Sequence, residues 1–138
     1  MSKDNVEIVM EQIEQMCDVL GYPIDINRPF VLDEMSLPRV SIFDGAESTV
    51  IENDPATWDS QVRIEPIIEV LFEEDDPSQL SQKMRQIWRI FRKAIVKEDF
   101  SEHLVSGSSM SYDKAGLIIN EKPGISGFSV TLSLLIEM

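Results

Sequence analysis

The alternation of apolar and polar residues along the chain predicts its elements in order. Val6, Val9, Met10, Ile13, Met16, Cys17 and Leu20 recur every three or four positions, the spacing of one buried helix face, with Ile8 off it. Asp4 and Glu7 form a capping-box pattern at its start, and Gly21 with Pro23 ends it. Residues 37–43 read as a short strand. Asp44-Gly45 opens a long polar segment to about residue 60, an unusual length for a connection inside a compact domain. Residues 61–72 then alternate: Val62, Ile64, Ile68, Val70 and Phe72 point one way, and Arg63, Glu65 and Glu69 the other. Pro66 has no N–H for a ladder, which predicts an edge or a bulge there.

Asp76-Pro77-Ser78-Gln79 reads as an N-cap, an N1 proline and a capping-box glutamine. The helix it starts runs to about Lys97 and buries Leu80, Met84, Ile87, Trp88, Phe91, Ala94 and Ile95. Two strand candidates follow, at 109–112 and 117–120, and Gly124 with Gly127 reads as a turn. Residues 128–136 form a last strand, with Phe128, Val130, Leu132, Leu134 and Ile136 on one face and Ser129, Thr131 and Ser133 on the other. This order predicts an α+β fold: a single domain over residues 1–138, with a twisted, mostly antiparallel sheet and two helices packed on one face.

Composition narrows the function. With 138 residues, 43% hydrophobic and 27% charged, the chain is long enough for one packed core without staples. Its only cysteine, Cys17, allows no internal disulfide, which fits a reducing cytoplasm. The first residues lack the basic and apolar regions of a signal peptide, and no apolar run is long enough to cross a bilayer, so no membrane association is expected. A net charge of −13 argues against a duplex-binding protein.

Motifs for catalysis or cofactor binding are missing. His103 is the only histidine and reads as a surface side chain. There is no Gly-x-Ser-x-Gly elbow, no phosphate-binding glycine loop and no dinucleotide fingerprint. The run Glu73, Glu74, Asp75, Asp76 lacks the alternating ligands and central glycine of a calcium loop. The expectation is therefore a non-enzyme with no catalytic residues, no cofactor and no metal.

Charge placement is the positive signal. Six of the twelve basic residues fall between Lys83 and Lys97, against the sign of the whole chain. Arg85, Arg89, Arg92 and Lys93 project opposite the buried stripe of the second helix, with Ile90 on the border. Glu7, Glu11, Glu14 and Asp18 line a flank of the first helix. Glu73, Glu74, Asp75 and Asp76 form a second acidic cluster, partly explained as carboxylates favoured ahead of a helix start. Opposite patches on one chain suit heterologous, head-to-tail contacts, which close into rings when the rotation permits.

In element order and texture the chain resembles the tail terminator proteins of long-tailed bacteriophages. The matching features are the amphipathic helix VEIVMEQIEQMCDVL, the strand and polar loop SIFDGAESTVIENDPATW, and the alternating strand VRIEPIIEVLF. The capped helix DPSQLSQKMRQIWRIFRKAI and the final strand GFSVTLSLLIEM complete them. The resemblance implies a structural virion protein without enzymatic activity that forms a hexameric ring. The ring caps the tail tube, ends its polymerisation and presents a head-joining surface, acting in the host cytoplasm during assembly and then in the virion tail. Implied partners are other copies of the chain, the tail tube protein and head or neck proteins, with DNA only in transit through the channel. The polar segment, with Asp44, Glu47, Glu52, Asp54 and Trp58, becomes a tube-docking loop. Arg85, Arg89, Ile90, Arg92 and Lys93 become a subunit interface facing Glu7, Glu11, Glu14 and Asp18 or Glu73, Glu74 and Asp75. The alternatives are another head–tail connector protein and a small dimeric cytoplasmic ligand-binding domain.

Overall fold

A computed structural model describes residues 4–27, 37–49, 61–74, 76–118 and 125–137. The first helix, α1, spans Asn5–Cys17; the Asp4 carboxylate accepts the Glu7 N–H at 2.8 Å. A 3-10 turn over Asp18–Leu20 ends at Gly21, whose φ of +69° is open to glycine at little cost. The second helix, α2, spans Pro77–Lys97, and Asp76 caps it by accepting the Ser78 N–H at 2.9 Å and its hydroxyl at 2.8 Å.

Among the described residues, five strands form one sheet: β1 Ile24–Ile26, β2 Arg39–Thr49, β3 Gln61–Glu73, β4 Ser111–Ile118 and β5 Ile125–Glu137. Their order is β1-β2-β3-β5-β4; β1 runs parallel to β2 and every other neighbour is antiparallel. The mostly antiparallel α+β domain is therefore as the hydrophobic pattern predicts. Both helices cover one sheet face. Val9, Ile13, Ile87, Phe91 and Ile95 from the helices share a buried cluster with Val40, Ile42, Ile64, Ile68, Val70, Phe72, Phe128, Val130, Leu132, Leu134 and Ile136. Trp88 packs edge-on against Phe128, with ring centroids 5.4 Å apart, and Phe91 lies 5.9 Å from the same ring.

Two local expectations are corrected, and one strand has no counterpart in the sequence reading. One strand, Ser111–Ile118, runs unbroken through the gap between the two candidates at 109–112 and 117–120, and residues 119–120 lie outside the described residues. Gly127 is not a turn residue but lies inside β5, paired with Leu71 on β3. A Cβ there would stand 2.0 Å from the Val70 carbonyl oxygen, so glycine is needed for the two strands to approach. Three-residue β1 is too short to show a period in sequence. A fork from Arg39 Nε and Nη2 to both Asp25 carboxylate oxygens ties it to β2.

A third correction concerns the expected tube-docking loop. Asp44 and Glu47 do not open a loop; they continue β2 as far as Thr49, while Glu52, Asp54 and Trp58 lie outside the described residues. The signal that reads as a loop start, Asp44-Gly45, is a bulge. Register with β3 shifts by one residue between Phe43 and Ala46, at the level of Pro66. Gly45 has φ +67°, and a Cβ on it would meet the Glu65 carbonyl oxygen at 2.0 Å. Pro66 itself sits in a central strand rather than at an edge. On its other side the β3–β5 pairing skips Glu65 and Pro66 and resumes in unchanged register, because the imide nitrogen has no hydrogen to donate.

Two substitutions test this account by denaturant unfolding. Leu132→Ala, at a fully buried position, is expected to cost about 2–5 kcal/mol. Gly127→Ala forces β3 and β5 apart and is expected to cost about 1–3 kcal/mol, as other overpacked sites do. An unchanged unfolding midpoint for Gly127→Ala would contradict the close strand approach.

Candidate functional site

The helical layer has a charge of each sign on adjacent helices. Glu7, Glu11 and Glu14 on α1 and Asp18 at the start of the 3-10 turn follow a four-three-four spacing and are all exposed. On α2, Arg85, Arg89 and Lys93 stand four residues apart in one exposed row. Val96, 62% exposed, extends this row one turn on, and Ile90, 49% exposed, flanks it. Val96 is absent from the sequence-based interface; its only signal is an apolar residue off the buried stripe. Arg92 is exposed on the other flank, where its Nε donates to the Tyr112 hydroxyl at 3.2 Å. The ridge of α2 is thus Arg85, Arg89, Lys93 and Val96, with Ile90 beside it.

The acidic run before α2 is used locally. Asp76 is the cap. Lys83 folds back so that its amino group donates to the Glu73 carbonyl at 2.6 Å, stands 3.9 Å from the Glu74 carboxylate and lies over the Phe72 ring at 5.6 Å. The Glu74 carboxylate also accepts the Asp76 N–H at 3.2 Å. Asp75 lies outside the described residues. The Glu74 and Asp76 carboxylates therefore shape a helix start, and Lys83, in the same basic cluster, answers Glu74 and the Glu73 carbonyl from within the chain.

The α1 stripe borders a cleft that sequence reading does not locate. Val6 and Met10 of α1 with Ile64 of β3 form its apolar floor, and Glu7, Glu11, Asp44 and Glu47 rim it. Its volume is about 370 Å³. The β2 bulge creates it. Glu47 pairs with core-facing Ile64, so the register shift puts Glu47 on the helix side of the sheet. The bulge is pinned by Asn27, whose side chain accepts the Asp44 N–H at 2.9 Å and donates to the Asp44 carboxylate at 3.1 Å. The rim carboxylates do not converge: among the described residues, no group of three or more acidic, His or Cys side chains is placed to hold a metal ion. The arrangement is one for contact, an apolar floor inside a charged rim.

Two titratable side chains away from the cleft are perturbed by burial. Cys17 is fully buried at the base of α1, and burial with help from the Glu14 charge pushes its thiol pKa up to about 12. Glu69 lies on the opposite sheet face between Ser41 and Ser129, and burial raises its carboxyl above the usual range. No helix among the described residues is long and apolar enough to cross a membrane. Comparison with known proteins gives no matching family model and no matching curated relative.

Two predictions follow from the titrating groups. The native protein at pH 8 is expected to resist a thiol reagent at Cys17 and to react fully once denatured, as absorbance of the released chromophore will report. Rapid labelling of the native chain would contradict the burial. For Glu69, a folded pKa above the unfolded one means the native state binds the extra proton, so stability falls as pH rises through the carboxylate range. Glu69→Gln is therefore expected to raise the Tm more at pH 7 than at pH 4; a gain equal at both would contradict the desolvated carboxylate.

Proposed function

We propose that this chain is a structural subunit of the phage tail terminator kind, which closes into a ring on the end of a tail tube and stops its growth. The observation that carries the reading is the pair of adjacent helices exposing opposite charges on an overall acidic chain. Such a surface orients one copy against the next and rejects wrong registers more than it adds affinity. A ring of these subunits keeps most of its −13 charge per copy outside the contacts. An acidic inner wall repels phosphates and lets DNA pass without sticking. Asp44 and Glu47, expected on a tube-docking loop, lie on a pinned bulge beside the α1 stripe and so are available to a subunit contact in this reading.

One feature favours a second reading. Two adjacent helices of opposite charge also match face to face about a twofold axis, which gives an isologous dimer. Mass separates the two. In the terminator reading the chain, mixed with its cognate tube subunits, yields tubes of limited length capped by a ring. Arg85→Glu with Arg89→Glu keeps the fold, because both side chains are exposed, and leaves tubes overlong by electron microscopy. A discrete dimer by light scattering, with no effect on tube length, would overturn the reading.

A further inference from the structure

The ridge of α2 and the cleft beside α1 are complementary halves. The ridge is basic around an exposed apolar centre: Arg85, Arg89 and Lys93 beside Ile90 and Val96. The cleft is acidic around an apolar floor: Glu7, Asp44 and Glu47 around Val6, Met10 and Ile64. A volume of about 370 Å³ holds a few side chains, not a helix, so a ridge fills it by inserting side chains. Apolar contact at the centre and opposite charges at the rim are the anatomy of a specific protein interface.

The two halves are separate within one chain: Ile90 and Lys93 border a groove with Asp18 and Val19 past the end of α1, whereas the cleft lies along Val6–Glu11. Trp88 and Arg92 place α2 over β5 and β4, where they meet Phe128 and Tyr112. On one flank of α1, Gln12 donates at 2.8 Å to the Glu98 carboxylate and at 2.8 Å to the Asp99 carbonyl, just past the end of α2. The cleft opens on the other flank, toward the β2 bulge. A ridge cannot reach the cleft of its own chain, but it can reach that of another. An open chain of copies then keeps one free ridge at one end and one free cleft at the other until a ring closes.

We propose that the α2 ridge of one copy seats in the α1/β2 cleft of the next, with Arg89 and Lys93 against Glu7 and Glu47 and with Val96 or Ile90 toward Val6 and Met10. This rests on the ring reading above and names the acidic surface that the basic helix meets. It excludes the carboxylates at 73–76 as the seat.

The test uses two charge-reversed variants of the full chain: Glu7→Lys with Glu47→Lys in the cleft, and Arg89→Glu with Lys93→Glu on the ridge. All four side chains are exposed, and circular dichroism checks each fold. Sedimentation velocity is run on the wild type, on each variant and on their equimolar mixture. The expected result is a closed wild-type assembly. Each variant alone loses association by about tenfold or more, since like charges then face each other. The mixture regains it, because each variant's ridge meets a cleft of opposite sign. If the cleft variant associates like the wild type while the ridge variant does not, the ridge seats elsewhere and this inference falls, with the ring reading intact. Two folded variants that both fail and do not rescue each other also overturn it. A wild-type chain that stays monomeric at every concentration overturns the self-contact, and the tube-length assay then judges the ring reading separately. A wild-type dimer overturns both.

Discussion

A one-residue register shift between β2 and β3 decides which side of the sheet carries charge. Side chains alternate along a strand, so a single extra residue moves everything beyond it to the other face. Before Asp44-Gly45, β2 sends Val40 and Ile42 into the core. Beyond the bulge, Glu47 shares the face of Ile64 and stands beside α1. Gly45 makes this possible through its positive φ and its lack of a Cβ against the Glu65 carbonyl. A continuous β2 would turn Glu47 to the far face and take one wall from the cleft.

The core beneath tolerates that shift because it depends on the next pair of strands. The long β3–β5 ladder holds one register from Gln61 to Glu73 even across Pro66. Ile64, Ile68, Val70 and Phe72 with Phe128, Val130, Leu132, Leu134 and Ile136 form the buried apolar face under both helices. The amphipathic helices then have only their outer faces left for solvent, and those faces differ in sign. Desolvation keeps Cys17 protonated within the same core.

Most of the fold is legible in the sequence because its long elements repeat a period many times. The α1 and α2 stripes, the Asp76-Pro77 start and the alternation from Phe128 to Ile136 all reappear in the structure. Short or singular features do not. Strand β1 has three residues, too few for a pattern. Asp44-Gly45 is turn chemistry in sequence, and only the strand pairing shows it to be a bulge. Gly127 reads as a turn because glycine marks turns and close strand approaches alike. The charge stripes are visible as spacing, but the cleft is not: its floor and rim come from α1, β2 and β3, and no local pattern joins them. Lys83 shows the same limit, since its reach back to Glu73 and Glu74 separates it from the ridge of its own helix.

The account's central claim is that the basic helix of one copy meets the acidic cleft of another. Zero-length carbodiimide coupling, applied to an equal mixture of unlabelled and nitrogen-15-labelled chains and read by mass spectrometry, tests it most directly. The account predicts mixed-isotope peptides joining Lys93 to Glu7 or Glu47. Mixed-isotope peptides joining Lys93 to Glu73 or Glu74 instead, or no coupling of Lys93 between chains at assembling concentrations, would contradict it.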